Sequence, residues 1–281
     1  MNLILPQNIL LVDKPSGITS FDCIRILRRK TGIRKMGHAG TLDPMATGLM
    51  IIGVEAGTKR LHEFLKLDKT YEAEILLGVQ TDTGDVTGKV IRHGAGNMEQ
   101  AEEFSIINYQ FSKNDPISKI SKEEIEKVLM GMVGKLELPV PAYSAIKRGG
   151  EALYKKARRG EKVDTPIKTM EITSVEFLGL HILPFVKGVP HSNEGRDLKS
   201  SALADLPVSS TAWQVGSDTS FCKGGISLPV IKARFDVTSG TYIRSLAEDL
   251  GRRLGVPATL AGLRRTRIGE FRVEDAQKID P

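Results

Sequence analysis

The sequence predicts an α+β fold, a mixed and mainly antiparallel sheet with helices packed on it. Three observations carry that prediction. Strand-like and helix-like stretches are interspersed, but the strands are not separated by regular helices as a doubly wound parallel sheet requires. Thr70 to Gly78 and the run from Pro229 alternate apolar and polar residues, as half-buried strands do. At 40% hydrophobic and 26% charged, the 281 residues supply a sizeable core and a solvated surface.

Each element has its own signal. Asn8 to Asp13 is a short apolar strand ended by Lys14-Pro15-Ser16-Gly17. Thr19-Ser20-Phe21-Asp22 is a capping-box start for a helix to about Lys30, with Phe21, Ile24 and Leu27 on its buried face. Gly32 stops it. After a loop, Leu49 to Val54 is a continuous apolar run of buried-strand length. In the strand from Thr70, Tyr71, Ala73, Ile75 and Leu77 share one side, and the polar turn Thr81-Asp82-Thr83-Gly84-Asp85 follows. Residues 92–120 have no clean period and read as an insertion. Ser121, with Glu124, caps a helix whose stripe is Ile125, Val128, Leu129 and Met132. Pro139 to Gly150 is irregular, Glu151 to Arg159 a short basic helix, and Glu171 to Leu180 a strand. Residues 184–227, rich in serine, glycine and asparagine, read as a long mobile insertion around the only tryptophan, Trp213. Beyond it come one strand (Ile231, Ala233, Phe235, Val237) and one amphipathic helix (Ile243, Leu246, Ala247, Leu250, Leu254) ending at Gly255. A strand and a helix cannot build a core alone, so they complete a single domain spanning 1–281.

Composition narrows the functional class. No run approaches the ~18 apolar residues of a membrane span, and the apolar N-terminus is too short and lacks the basic start of a signal peptide. Cys23 and Cys222 form no disulfide framework or zinc spacing, which points to the reduced cytoplasm. None of the five histidines sits at ligand spacing with another, and no nucleotide-binding glycine motif is present. A metal-free, cofactor-free reaction is expected. The net charge of +6 is modest, but it is gathered in three basic blocks, Cys23 to Lys35, Lys147 to Lys162 and Arg252 to Arg272. Such blocks suit a polyanion, most simply nucleic acid.

The most heavily specified stretch is Gly37 to Val54. Gly37, Gly40 and Gly48 permit backbone angles closed to other residues, and Pro44 pushes Asp43 toward an extended conformation. The loop should present one carboxylate rigidly at the edge of a sheet. Arg34, Lys35 and His38 lie just upstream, and a carboxylate near fixed positive charge stays ionised, which suits a nucleophile or base. Taken alone, an Asp-Pro pair more often only caps a turn. Asp82 and Asp85 are available as a second carboxylate, with nothing in the sequence to fix their geometry.

Five ordered blocks then resemble one family, the TruB tRNA pseudouridine-55 synthases. They are Leu10 to Ser20, the Asp43 loop, Lys69 to Ala73 with Gly78 to Asp85, Pro141 to Lys147 with Leu153-Tyr154 and Ala157-Arg158, and Ser239 to Leu246 with Leu263-Arg264-Arg265. The resemblance implies a pseudouridine-synthase-like fold and the isomerisation of a uridine in the T loop of tRNA. It implies that Asp43 attacks the flipped-out nucleoside, at the uracil ring or at the ribose anomeric carbon. Tyr71 would stack on the base and serve the late proton removal. Arg244 would pair with Asp43 and Leu263 would wall the pocket. His38 would contact RNA, with Lys14, Lys59 and Tyr242 in positioning roles. The basic segment Lys147 to Lys162 would grip RNA. Each has a plainer alternative: Tyr71 and Leu263 as core, Arg244 and His38 as solvated residues.

The chain also departs from the family pattern. It stops soon after Arg272, where many members carry a small PUA-type RNA-binding domain; both insertions look long, and Val140 stands where a second proline is common. A monomer that acts on the T-arm stem-loop without a protein partner is the main expectation. A guide-RNA-dependent synthase and a noncatalytic RNA-binding protein are the rivals. The missing domain argues against the first, and the Asp43, Tyr71 and Arg244 set against the second.

Overall fold

The computed structural model describes residues 8–93, 96–97, 116–184 and 227–279. In chain order the strands are β1 (Ile9–Lys14), β2 (Met36–Ala39), β3 (Thr47–Val54), β4 (Lys69–Leu77), β5 (Val79–Thr81), β6 (Val90–His93), β7 (Gly96–Asn97), β8 (Gly134–Pro139), β9 (Lys147–Arg148), β10 (Glu151–Ala152), β11 (Ile167–Pro184), β12 (Ser227–Val237), β13 (Ala258–Ile268), β14 (Phe271–Arg272) and β15 (Gln277–Lys278). The helices are α1 (Ser20–Thr31), α2 (Leu61–Leu65), α3 (Lys122–Met130), α4 (Leu153–Arg158) and α5 (Ile243–Arg253). A ten-stranded sheet runs β15-β1-β3-β13-β4-β12-β11-β8, with β2 against β3 and β14 against β13. Only β1–β15 and β3–β13 are parallel. The sheet is thus mixed and mainly antiparallel, as expected.

Burial explains the sequence patterns. Met50, Ile52 and Val54 of β3 join the main core with Ile24 and Leu27 of α1, Ile125 and Leu129 of α3, and Leu246 and Leu250 of α5. Leu49 and Ile51 face a smaller cluster with Phe64, Ile268 and Val273. A strand covered on both faces has no polar side, hence the unbroken apolar run. The alternating strands β4 and β12 bury Tyr71, Ala73 and Ile75 and Ile231, Ala233 and Phe235. Thr19 caps α1 with a complete capping box through Asp22, and Gly32 ends it at φ 72°. Ser121 caps α3 by accepting a bond from the Glu124 amide at 3.2 Å.

Several expectations need correction. Phe21 is not on the buried face of α1; it is 55% exposed. Gly37 to Ala39 is strand, not loop, and Gly37 does not take a positive φ as Gly40 (87°) and Gly48 (107°) do. The catalytic-loop candidate leaves the end of an interior strand, β3, not a lateral edge of the sheet. Lys147 to Ala152 is a hairpin, β9–β10, turned by Gly149 and Gly150 at φ 62° and 84°. The strand at 171–180 is longer, filling β11. More than one strand follows the second insertion, since β13 lies at the centre of the sheet between β3 and β4. Of the proposed insertions, Arg92 and His93 belong to β6, 96–97 to β7 and 116–119 to a 3-10 turn followed by Ile120, Pro184 ends β11 and Ser227 begins β12; the remainder lies outside the described residues.

Candidate active site

The turn between β2 and β3 carries Asp43, and the rest of the chain holds that turn from several directions. Ser20 Oγ donates to the Leu42 carbonyl at 3.0 Å and accepts from the Leu42 amide at 2.9 Å. The Gly17 amide donates to Pro44 O at 2.9 Å, and Ser16 Oγ to Met45 O at 3.0 Å. Lys14, fully buried, donates through Nζ to Pro15 O at 2.8 Å, Pro44 O at 3.1 Å and Ala46 O at 2.6 Å. Three carbonyls around one ammonium are what a buried lysine needs to remain charged. Even so, burial lowers its pKa to about 8, against the opposing pull of Cys23 and Asp43. Arg265, also fully buried, donates to Leu49 O at 2.7 Å and Gly40 O at 3.3 Å. The loop is therefore rigid because β1, α1 and β13 bind its carbonyls, beyond anything its own glycines provide.

Arg244 comes from the first turn of α5, 201 residues away, and meets Asp43 through two contacts. Nε lies 3.0 Å from Oδ2 and Nη2 donates to Oδ1 at 3.2 Å, a forked pairing that fixes the carboxylate plane. Two further donors are occupied by Thr83 O at 2.8 Å and Tyr143 O at 3.1 Å, and Asp85 Oδ2 stands 4.0 Å from Nη1. Arg244 is only 6% exposed, whereas the Asp43 side chain is 31% exposed. The arginine is enclosed and the carboxylate opens outward. Burial raises the Asp43 pKa above the usual aspartate value; Arg244 and Lys14 oppose the rise and Asp85 adds to it. Burial thus acts on Asp43 beside the positive neighbours that the sequence suggests.

The other predicted residues divide. Tyr242, beside Arg244 in sequence, is half-buried and has its pKa raised by burial, with Arg244 and Asp43 both acting on it. Tyr71, Tyr242 and Leu263 belong to the same apolar cluster as Leu42 and Met45 of the loop, with Leu263 opposite Ala73 in the β13–β4 ladder. His38 is half-buried on β2 with its Nδ1 unpartnered among the described residues; burial, then Arg265, lowers its pKa. That leaves it neutral at pH 7, so it is not a fixed cation beside Asp43. Lys59 is not brought to the site. It is exposed on the 3-10 turn Glu55–Arg60, at the other end of β3, roughly 25 Å along the strand at about 3.3 Å per residue.

Two features were missed from sequence. In sequence Asp85 is a carboxylate without geometry. Its Oδ1 accepts from Thr83 Oγ1, the Thr87 amide and Thr87 Oγ1, which aims the other oxygen at Arg244. The spacing Thr83-x-Asp85-x-Thr87 was the available signal. Arg265 stands within a resembling block, and nothing local announces that it is buried. Among the described residues no group of three or more His, Cys, Asp or Glu forms a metal site. No helix among them is long and apolar enough to cross a membrane.

Comparison with known proteins points to one family. The model of the TruB family pseudouridylate synthase N-terminal domain matches residues 28–112 and 100–186. A tRNA pseudouridine synthase B of Deinococcus radiodurans is 34% identical over 273 residues, covering 97% of the chain and 77% of that relative. The chain belongs to the TruB family of pseudouridylate synthases. Those of Bifidobacterium longum and Xanthomonas oryzae are 34% and 33% identical, over 96% and 95% of the chain and 65% of each relative. The TruB chain thus spans under two thirds of these two. In fold it resembles a chain of an H/ACA RNP bound to a substrate RNA containing 2′-deoxyuridine (TM-score 0.54, 20% identity, 97% of this chain and 51% of that one). A Cbf5-Nop10-Gar1 complex gives a TM-score of 0.53 at 21% identity, over 96% and 52%. The TruB family is one of RNA-modifying isomerases, and the α+β architecture is that of its structural neighbours.

Proposed function

We propose that this chain converts a uridine in the T loop of tRNA, position 55, to pseudouridine without a cofactor. The observation that carries the reading is the forked Asp43–Arg244 pair. It holds a single carboxylate with its plane fixed and its outer side open. Asp43 attacks the nucleoside at the uracil ring or the anomeric carbon. The N1–C1′ bond breaks, the base turns in place, and a C5–C1′ bond forms; the bond to Asp43 breaks to return its carboxylate, the proton on C5 leaves and N1 gains one. Nothing is added or lost overall, so no co-reactant is needed. Tyr71 stacks on the base and serves the final proton removal, while Leu263 and Tyr242 wall the pocket. Lys14 holds the loop and His38 contacts RNA. The target base has to leave its stack, at a cost of a few kcal/mol that RNA contacts must offset. The basic blocks provide those contacts as phosphate binding, which positions RNA without reading its sequence. The chain acts as one catalytic domain, a cytoplasmic monomer that needs no guide RNA or protein partner.

The test is tritium release from an unmodified tRNA transcript labelled at C5 of uridine, with no guide RNA added. Wild type should release tritium from position 55 and Asp43→Asn should release none detectable while still binding the transcript. Equal release by both proteins removes Asp43 from the chemistry. Release that depends on an added guide RNA favours the guide-dependent mode.

A further inference from the structure

Phe21 is the one large aromatic that the helix pattern assigns to the core and the structure turns to solvent. It follows Ser20 at the start of α1 and remains 55% exposed although two guanidinium groups reach its ring. Arg25 and Arg28 each place Cζ 5.8 Å from the ring centroid. Both arginines are tied down. Arg25 pairs with Asp22, and Arg28 Nη2 donates to the Met36 carbonyl at 3.1 Å, which links α1 to β2. Arg28 Nε has no acceptor among the described residues. Beyond them Arg29, Lys30, Arg34 and Lys35 are all exposed, and Asp22 is the sole acid from Phe21 to Lys35.

The place of this patch gives it meaning. Ser20 and Leu42 are clasped by two hydrogen bonds, and Phe21 and Asp43 are the next residue on each side of that clasp. Two Cα steps of 3.8 Å and the clasp itself keep their Cα atoms within about 15 Å. An exposed ring flanked by ordered guanidiniums, in a field with one acid, has the chemistry of a stacking platform for a nucleobase with phosphates held alongside. We propose that Phe21, Arg25 and Arg28 form such a platform for a nucleotide of the substrate RNA that flanks the target uridine. This rests on the reading that the substrate is RNA. It adds a contact outside the pocket that Asp43, Tyr71 and Leu263 define. A protein partner would find the aromatic ring but would need an acidic surface to match five exposed cations, and RNA supplies that charge along its whole backbone.

The test is binding of an unmodified tRNA transcript to wild type, Phe21→Ala, Phe21→Trp and the double variant Arg25→Gln/Arg28→Gln, over a salt series. Because Phe21 is exposed, thermal unfolding should be unchanged by its replacement. Phe21→Ala should raise Kd about tenfold, in keeping with the loss of one stacked base. Phe21→Trp should restore binding, and its added tryptophan emission should be quenched as transcript is titrated in. The double variant should flatten the slope of log Kd against log salt by about two. Binding of Phe21→Ala within twofold of wild type overturns the platform, as does an unquenched Phe21→Trp. Wild type that binds RNA in this Phe21-dependent way but forms no pseudouridine would refute the reaction and leave the platform standing.

Discussion

Burial pushes the Asp43 carboxyl above the ordinary aspartate range, and the two charged groups that act on it most strongly pull in opposite directions. Arg244 lowers its pKa through the forked contact and Asp85 raises it. The sign follows for both stability and activity. A carboxyl that holds its proton more tightly in the folded chain contributes most to stability below its unfolded pKa, and that contribution is lost as pH rises through the folded value. The ionised form, which the proposed reaction requires, is lost as pH falls through the same value. The acid limb of turnover should therefore lie above 3.8, the value of an unperturbed aspartate. Carboxyl-carbon NMR of the labelled protein gives the midpoint directly, even in inactive variants. Asp85→Asn, which keeps the shape of the side chain, should move the midpoint down; Arg244→Gln should move it up. An unmoved midpoint in both would mean that burial alone governs Asp43.

At the scale of elements, the loop depends on the parallel meeting of β3 and β13. Gly48 is opposite Arg265 in that ladder, and its φ of 107° favours glycine. A Cβ built at Gly48 would lie 2.3 Å from the Arg265 carbonyl oxygen and 2.7 Å from its amide nitrogen. This close approach is what lets the Arg265 side chain reach Leu49 O and Gly40 O. Gly48→Ala should then cost roughly 2–4 kcal/mol in urea unfolding, from backbone strain and displacement of β13 together, and should lower turnover by disturbing the Asp43 loop. A cost below about 1 kcal/mol would show that the two backbones do not meet so closely.

The same pair of strands shows how far sequence could go. β3 was legible because both of its faces are buried, and α5 because one stripe of it is. β13 was not, since its register slips between Leu260 and Gly262 and again between Arg265 and Arg267, so no period of two survives. Its arginines also look like surface, yet Arg265 is fully buried and Arg264 pairs with Asp13 at 2.8 Å. Phe21 failed for the opposite reason. A helix face gives its residue a direction, but α1 buries Ser20, Cys23, Ile24, Ile26 and Leu27 and leaves Phe21, three residues before Ile24, in solvent. In the site, Asp43 and Arg244 were readable as motif residues. The fork between them depends on Thr83, Tyr143 and Asp85 closing around the guanidinium, which only the folded chain brings together.

For the whole molecule, a contact 201 residues apart requires the sheet to close before the site exists. Strand β12 pairs with both β11 and β4, and β4 pairs with β13, so the second half of the chain is laid against the first through ordinary ladders. The β11–β12 ladder continues to its last registered pair, Pro184 opposite Ser227. Residues 185–226 therefore depart and return at one end of a closed antiparallel ladder, and the sheet, α5 and the Asp43–Arg244 fork can all be traced without them. Replacing those 42 residues by a two-residue Asn-Gly turn matches the geometry that short hairpins favour. Loop-closure entropy grows with the logarithm of length, so the shortened chain should be as stable as the parent or up to about 2 kcal/mol more so. It should unfold in one cooperative step and keep its turnover on a tRNA transcript. Urea unfolding with a tritium-release assay on the same preparation would measure both. If the shortened chain loses cooperative unfolding, then residues 185–226 supply part of the core, and the sheet described by β11, β12, β4 and β13 does not stand without them.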